Sequence, residues 1–284
     1  MTGKLLSTTD HDRASADLTY VYPVVSRRAG GVSVGINLNP DNACNWRCLY
    51  CQVPGLTRGS APPVDLQLLE KELRGFLEQL LRGDFMQRRV PEEARRFNDI
   101  ALSGNGEPTS AAEFAQVIEL IARLRRETGV PEAVKTVLIT NGSLLHRSEV
   151  QRGVGELAQL NGEVWFKLDR ASAAGMQRIN DTRTGMDKVR ANLIAAIELC
   201  PTWLQTCWFE LDGEAPSRQD EDDYVEFVGG LLRDGYRPQG VLLYGLARPS
   251  QQPEAARLSA LPEEKLQAFA ARIAALGLTV KISC

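Results

Sequence analysis

The chain has 284 residues, of which 43% are hydrophobic and 24% charged, so it can bury a sizeable core and is neither disordered nor a low-complexity fibre. Lys and Arg total 33 against 36 for Asp and Glu, and this balance, with a net charge of -3, excludes a general electrostatic attraction to polyanions. No stretch approaches the roughly 18 uninterrupted apolar residues of a membrane-spanning helix, and the first residues lack the apolar core of a signal peptide, so we expect a cytoplasmic protein that does not contact a membrane.

Short β-rich runs alternate with longer stretches of helical period along most of the chain. In the helical stretches, apolar side chains recur at spacings of three and four, as they do through residues 111–126. This alternation is typical of βα units packed around a parallel sheet. The predicted strands are residues 33–38, 99–103, 135–140, 163–168, 204–211, 240–246 and 278–283.

The number of βα units favours an incomplete, open barrel over a closed one. A complete eight-stranded barrel takes about 250 residues, but the first 30 residues and the connection from 39 to 64 supply no unit. No linker rich in Gly, Ser or Pro divides the chain. We therefore predict an α/β protein with a single barrel domain at residues 33–284, preceded by an N-terminal extension at residues 1–32.

Three of the six cysteines, Cys44, Cys48 and Cys51, lie within eight residues of one another in the loop after the first predicted strand. This spacing lets three thiols converge on one centre. Iron–sulfur clusters are bound by thiolates and normally take four, so three would leave one iron open for a substrate or cosubstrate. Zinc is the weaker alternative, because its sites prefer four ligands in C-x2-C pairs and neither His11 nor His146 has ligand spacing toward this loop.

The pattern Cys44-x3-Cys48-x2-Cys51 resembles the cluster motif of the radical S-adenosylmethionine (SAM) superfamily. In that superfamily the motif follows the first strand of a partial (βα)6, TIM-like barrel. The third predicted strand here ends in Thr-Asn141-Gly, which is also frequent in the superfamily. The resemblance spans roughly residues 33–245 and implies the fold of the radical SAM core.

A second motif follows the second predicted strand. Gly104-Asn105-Gly106-Glu107-Pro is similar to the Gly-Gly-Glu-Pro segment of the superfamily, whose acidic residue and backbone hold the methionyl amine of SAM. The resemblance therefore implies that Glu107 contacts this amine. Asn105 departs from the pattern, since it stands where the first Gly of the pair is usual, but Asn is the non-Gly residue that best tolerates a left-handed backbone.

The resemblance implies an enzyme with one [4Fe-4S] cluster at the three clustered cysteines. Such an enzyme reductively cleaves SAM and uses the resulting 5'-deoxyadenosyl radical to abstract hydrogen from a substrate, and a reduced flavodoxin or ferredoxin-type protein is the expected electron donor. Tyr50 resembles the aromatic residue that lies near the adenine in relatives, and a packing aromatic under the loop is the alternative. The residues assigned to SAM are Tyr50, Gly104, Asn105, Gly106, Glu107, Asn141, Lys167 and Asp169.

The run from Pro23 to Arg28 is similar to a Pro-Ser-Arg-Arg-type run that precedes the first strand in short radical SAM proteins, some of them related to wyosine (tRNA base) synthesis. Arg27 and Arg28 are candidates for binding a phosphate or a substrate carboxylate. A small molecule, a peptide and tRNA all stay open as substrates, and the acidic pI of about 5.6 favours the first two. A non-enzymatic iron–sulfur or zinc module that senses redox state is the competing class, and Glu107 in its motif argues against it.

Strand parity supplies further candidates, because alternate residues of a strand face opposite sides. We expect Cys207 to face outward with its apolar neighbours, and Cys200, Cys207 and Cys284 to be small hydrophobes rather than ligands of a second cluster. A parity slip at a bulge would instead leave the polar residues at strand ends as solvated loop residues. On the expected parity, the cavity over the cysteine loop is lined by Lys167, Asp169, Glu210, Asp212, Tyr244 and Arg248.

Overall fold

The structure, a computed structural model, describes residues 5–6, 18–26 and 30–283. Strands and helices alternate through these ranges. The strands are β1 (Val21–Ser26), β2 (Gly31–Ile36), β3 (Ala43–Cys44), β4 (Thr57–Arg58), β5 (Phe97–Leu102), β6 (Lys135–Thr140), β7 (Gly162–Lys167), β8 (Thr202–Cys207), β9 (Phe209–Leu211), β10 (Gly240–Tyr244), β11 (Leu258–Ala260) and β12 (Thr279–Ser283). The helices are α1 (Leu66–Arg82), α2 (Phe85–Arg89), α3 (Phe114–Thr128), α4 (Ser148–Ala158), α5 (Ala173–Asn180), α6 (Met186–Leu199), α7 (Arg218–Arg233) and α8 (Glu263–Ala274).

The central sheet has the order β1-β2-β5-β6-β7-β8-β10-β12. Each neighbouring pair from β2 to β12 is parallel, and β1 pairs with β2 in the antiparallel direction. In the described ranges no ladder joins β1 to β12, so the sheet curves as an open, partial barrel. This confirms the predicted α/β class with an incomplete barrel.

The first strand lies within the predicted N-terminal extension at residues 1–32. Residues 21–26 form β1 and pair with β2 over six residues, so part of this segment belongs to the sheet. Pro23 has no N–H to donate, and an edge strand is the position in a sheet that tolerates it. The predicted substrate residues Arg27 and Arg28 lie outside the described residues, as does Cys284.

Helices cover the outer face of the sheet. The first, α1, begins at the N-cap Asp65, whose carboxylate accepts hydrogen bonds from the backbone N–H groups of Gln67 and Leu68, both at 3.0 Å. Its inward stripe, which includes Leu69 and Leu73, has no solvent exposure, and burial of each such side chain contributes about 1.5–3 kcal/mol. Among the described residues no helix is both long and apolar enough to cross a membrane.

The predicted strand at residues 204–211 divides into β8 and β9 at Trp208. The Trp208 ring stacks on Phe269 of α8 with a centroid distance of 3.6 Å, in the layer between sheet and helices. Its indole N–H donates to the backbone oxygen of Asp169 at 3.1 Å. The remaining predicted strands match the observed ones within two residues at each end, and β6 has the predicted bounds.

Candidate active site

The cysteine loop, residues 43–58, follows β2 at the carboxyl end of the sheet. Its ends are held together by the short parallel ladder between β3 and β4. Cys44, Cys48 and Cys51 all line one cavity of about 300 Å³, whose other walls are the ends of the parallel strands. The carboxyl ends of the strands are where barrel enzymes place their active sites.

One side of the cysteine loop is bound to the end of α5. The backbone N–H of Leu49 donates to the carbonyl oxygen of Ile179 at 2.9 Å. The Arg47 guanidinium binds the carboxylates of Asp181 at 3.2 Å and Glu254 at 2.9 Å. Asp181 is the helix C-cap and has a left-handed backbone with φ of 48°. The loop is therefore attached to an ordered helix end.

A strap, residues 248–254, crosses the cysteine loop from the other side. The Ser250 hydroxyl donates to the carbonyl oxygens of Leu49 at 2.6 Å and Cys51 at 3.1 Å. The Gln252 side-chain amide donates to the carbonyl oxygen of Val53 at 2.9 Å. Sequence reasoning missed these anchors, since residues about 200 positions apart in the chain carry no local signal of their contact.

The cysteine side chains fit a cluster better than a zinc ion. Among the described residues, no three His, Cys, Asp or Glu side chains converge where one metal ion could bind them. A zinc ion with Zn–S bonds of about 2.3 Å requires that convergence, whereas the cysteines of a cluster bind separate irons. Burial raises the pKa of Cys44 to about 11 and that of Cys48 to about 12, so metal binding must displace their protons.

Glu107 joins the ends of β5 and β6. One of its oxygens accepts hydrogen bonds from the Thr109 N–H at 3.1 Å, the Thr109 hydroxyl at 2.6 Å and the Thr140 hydroxyl at 2.6 Å. The other accepts from the backbone N–H of Asn141 at 2.6 Å. Burial raises the pKa of Glu107, and these donors oppose the rise. Glu107 can still accept a hydrogen bond from an amine, as predicted, because its second oxygen has further acceptor capacity.

The glycines of the second motif are required by close packing. A Cβ at Gly104 would lie 2.3 Å from Asn37 Oδ1, and one at Gly106 would lie 2.1 Å from the carbonyl oxygen that precedes the first cysteine. Gly104 also has a φ of +154°, which favours glycine. Asn105 does not adopt the left-handed conformation that its tolerance suggested, and its side-chain amide instead donates to Asn42 Oδ1 at 2.6 Å.

Asp169 is a hub beneath the cysteine loop rather than a free ligand. Its carboxylate accepts hydrogen bonds from the Tyr50 hydroxyl at 2.5 Å, the Asn180 amide at 2.6 Å and the Cys207 backbone N–H at 2.7 Å. The same Asn180 amide lies 3.2 Å from Cys48 Sγ. Asp169 and Asn180 thus hold Tyr50 and Cys48 close to β7 and β8. Tyr50 also packs under the cysteine loop, as the alternative for this residue predicted.

Asn141 connects the end of β6 to the cysteine loop. Its side-chain amide donates to Asn45 Oδ1 at 2.8 Å, and its side-chain oxygen accepts from the Ser143 hydroxyl at 2.7 Å. The Asn45 amide donates in turn to the Ser143 hydroxyl at 2.8 Å. These three side chains form a closed polar network in the cavity wall, and the role of Asn141 toward SAM stays a prediction.

Lys167 places a positive charge inside the cavity. Its ammonium lies 3.5 Å from the Tyr50 hydroxyl and 5.3 Å from the centre of that ring. Burial alone would lower the pKa of Lys167, but the nearby Tyr244 and Asp169 outweigh it and raise the pKa above its usual value. Lys167, Tyr244 and Arg248 all line the cavity, as strand parity predicted.

Parity was misassigned in the strand pair β8–β9. Cys207 faces the cavity and packs with Phe209 against Tyr50, so the prediction that it faces outward is wrong. The apolar side of this strand pair covers the underside of the cysteine loop instead of packing on helices. The polar residue Thr206 faces outward, where its hydroxyl lies 2.7 Å from the Tyr224 hydroxyl of α7.

Three predicted lining residues do not line the cavity: Asp169, which is buried beneath the cysteine loop, and Glu210 and Asp212. Glu210 contacts the Lys265 ammonium at 3.4 Å, and Asp212 forms an exposed ion pair with Arg257 at 2.7 Å. Asp212 also has a left-handed backbone with φ of 57°, as expected beyond a strand end. Sequence reasoning missed three inward polar residues that an alternation of period two could have found on the correct face: Ser33, Asp99 and Gln205.

No family model matches the chain. A UPF0026 protein of Helicobacter pylori is 28% identical over 159 residues, which are 56% of this chain and 44% of that protein. A UPF0026 protein of Synechocystis is 26% identical over 195 residues, which are 68% of this chain and 61% of that protein. The chain spans about half the length of the curated relatives it matches.

Solved structures with the same fold are radical SAM enzymes. A radical SAM methyltransferase from Sphaerobacter thermophilus aligns with a TM-score of 0.59 over 89% of this chain and 66% of that chain, at 15% identity. HydG, a maturase of the [FeFe]-hydrogenase, aligns with a TM-score of 0.57 over 89% and 52%, at 12% identity. SuiB from Streptococcus suis, solved with S-adenosylmethionine bound, aligns with a TM-score of 0.56 over 90% and 48%, at 11% identity. The chain has their fold, a partial TIM-like barrel.

Proposed function

We propose that this chain is a radical SAM enzyme that binds a [4Fe-4S] cluster through Cys44, Cys48 and Cys51 and modifies a substrate held in the cavity below it. When bound, the cluster supplies the electron that cleaves a carbon–sulfur bond of SAM. One observation carries the proposal: three thiols meet one cavity at the carboxyl ends of the strands, on a fold that radical SAM enzymes share.

The donor set suits a cluster with an exchangeable position. Three thiols leave one of four irons without a protein ligand, which is the position that SAM would occupy. Glu107 and the backbone between Gly104 and Gly106 line the same cavity and would receive the amine of SAM. Lys167 would receive its carboxylate, because a buried ammonium forms a charge-assisted hydrogen bond with an anion.

A small molecule or a peptide is the substrate class that the cavity supports best. The cavity lies between strands rather than on a surface, which suits a small ligand better than a macromolecule. The net charge of -3 gives no broad attraction to an RNA backbone. A flavodoxin or ferredoxin-type protein is the electron donor proposed to reduce the cluster.

Anaerobic reconstitution tests the proposal. The wild-type protein should bind about four irons per chain and cleave SAM when dithionite is the reductant. Replacement of Cys44, Cys48 and Cys51 by Ala should remove the iron, whereas Cys200→Ala should retain it, because Cys200 is buried in the hydrophobic core rather than in the cavity wall. Equal iron content in the triple variant and the wild type would refute the cluster assignment.

A further inference from the structure

A second cavity, of about 320 Å³, opens at the amino ends of the strands. Its mouth lies near the ion pair between Lys135 and Glu163, and Lys281 and Asn98 stand at its rim. It adjoins the cavity under the cysteine loop, because the two cavities share a set of lining residues, called the waist. The waist residues are Asp99, Val137, Trp165, Tyr244 and Ser283. The two cavities together are called the lumen.

The wall of the lumen has polar side chains at inward positions that bulky apolar side chains fill in a closed barrel. Inward positions of TIM barrels are filled by bulky branched residues. Here Ser33 faces inward and its hydroxyl donates to the carboxylate of Asp99, and both side chains are buried. The Tyr22 hydroxyl lies 2.9 Å from the Ser103 hydroxyl on the same side. A buried polar wall around a cavity is typical of a ligand site.

Gln205 supplies an acceptor that no described residue satisfies. Its residue exposure is 1%, and its side-chain oxygen has no hydrogen-bond partner among the described residues. The strand register places it between Lys167 on β7 and Leu242 on β10, and it lines the cavity under the cysteine loop. A buried acceptor without a partner costs free energy. A donor on a bound molecule would remove that cost.

Trp165, one of the waist residues, supplies a flat apolar surface. Its residue lies on a central strand, with β6 and β8 on either side, yet it is half-buried, so the exposed part of its indole faces the lumen. Trp203 is its direct neighbour on β8, and the Lys281 ammonium lies 4.2 Å from the centre of the Trp203 ring. Indole faces favour flat, polarisable rings as ligands.

We propose that the lumen binds the substrate and that this substrate is a small planar nitrogen heterocycle with N–H donors. Its ring would lie against Trp165, and its donors would meet the Gln205 oxygen and the Asp99 carboxylate. The acceptors of Gln205 and Asp99 favour donors on the ligand, and the cavity dimensions disfavour a macromolecule. The inference deepens the proposed radical SAM function and rests on it for the reaction, but binding itself needs no cluster.

Calorimetric titration of the reconstituted, SAM-saturated protein tests this inference. The probe is 2,4-diaminopyrimidine, a planar heterocycle with two amino donors, and benzoate is the planar comparison ligand with acceptors only. We expect saturable binding of the pyrimidine, at least tenfold tighter than that of benzoate. Absence of saturable pyrimidine binding, or equal affinity for benzoate, would overturn the inference.

Two matched variants localise the binding. Gln205→Met keeps the side-chain length but removes the acceptor, so pyrimidine affinity should fall about fivefold or more. Its melting temperature should not fall, because the lost oxygen has no protein partner. Gln267→Met, on the exposed face of α8, should leave the affinity unchanged. Equal affinity of Gln205→Met and wild type would place the ligand elsewhere and contradict the inference.

Failure of the two proposals can be told apart. Wild-type protein that binds pyrimidine through Gln205 but neither binds iron nor cleaves SAM would keep the lumen site and refute the radical SAM function. Protein that cleaves SAM but does not bind the pyrimidine would keep the function and refute the planar-donor substrate. The cluster-free triple-cysteine variant should bind the probe as tightly as the wild type does without SAM.

Discussion

Two oppositely charged side chains, Glu107 and Lys167, line the cavity under the cysteine loop. Glu107 is 2% exposed and is held by donors from two successive strand ends, so its negative charge is fixed in place. Lys167 carries the opposite charge and has the Tyr50 hydroxyl as its described hydrogen-bond partner. The amine and carboxylate of an amino acid group, such as the methionyl end of SAM, complement these two charges.

Glu107→Gln should lower both stability and SAM affinity. The amide that replaces one carboxylate oxygen donates rather than accepts, so at least one of the buried donors from Thr109, Thr140 or Asn141 loses its partner. We expect a loss of about 1–3 kcal/mol in the free energy of unfolding and SAM binding weaker by about tenfold. Denaturant unfolding and calorimetry measure the two effects. Glu119→Gln on the surface of α3 is the control, and an unchanged unfolding free energy for Glu107→Gln would contradict the role of Glu107 in joining the ends of β5 and β6.

Lys167→Met should weaken SAM binding. The substitution keeps the apolar stem but removes a charge that Tyr244 and Asp169 favour in the folded protein, so we also expect a lower melting temperature. Loss of a charge-assisted hydrogen bond of about 1.5–3 kcal/mol should weaken SAM binding at least tenfold. Lys265→Met, at an exposed position, is the matched control. SAM affinity equal to that of the wild type would mean that the Lys167 ammonium does not contact this ligand.

The cysteine loop has little structure of its own and depends on two neighbouring elements. The end of α5 holds it through Arg47 and Leu49, and the strap at residues 248–254 holds it through Ser250 and Gln252. At the α5 end the loop supplies the donors, the Leu49 N–H and the Arg47 guanidinium, whereas at the strap its backbone carbonyls accept. The backbone of the loop is therefore held from both sides.

Ser250→Ala should loosen this attachment. The hydroxyl donates to two loop carbonyls and accepts the N–H of Gln252 at 3.0 Å, so its removal takes away hydrogen bonds worth about 1 kcal/mol each. We expect Cys51 of the cluster-free protein to react with a thiol reagent about fivefold faster, as measured by mass spectrometry. Ser259→Ala on the exposed β11 should leave the rate unchanged. An unaltered rate in Ser250→Ala would show that the strap does not restrain the loop.

Across the whole molecule, local sequence patterns predicted the strands of the barrel and the motifs at their ends, but not every side chain that lines the lumen. The strand at residues 135–140 and the three motifs at strand ends were recognisable because each has a local signature. The inward face of β8 and β9 was not predicted correctly, because Cys207 and Phe209 pack beneath Tyr50. Tyr50 is distant in the chain, so no local pattern signals this contact. The partnerless oxygen of Gln205 likewise exists only once the register of neighbouring strands is fixed.

The N-terminal strand shows how the open sheet is finished at one edge. Glu72 of α1 is 7% exposed, and its carboxylate accepts hydrogen bonds from the backbone N–H groups of Thr19, Tyr20 and Val21 at 2.9, 2.8 and 3.2 Å. One helix side chain thus satisfies three donors at the start of β1. The segment predicted as an extension is therefore joined both to the sheet and to the first helix.

Glu72→Ala should detach this edge while the rest of the barrel stays folded. Three backbone donors would lose their acceptor, so we expect a loss of about 1–3 kcal/mol in the free energy of unfolding. Amide hydrogen exchange should accelerate in β1 and in β2, its ladder partner, and stay slow in β7 and β8 at the centre of the sheet. Glu78→Ala, on the exposed face of the same helix, should change neither measurement. Uniform acceleration over all strands would instead mean that β1 unfolds only with the whole sheet.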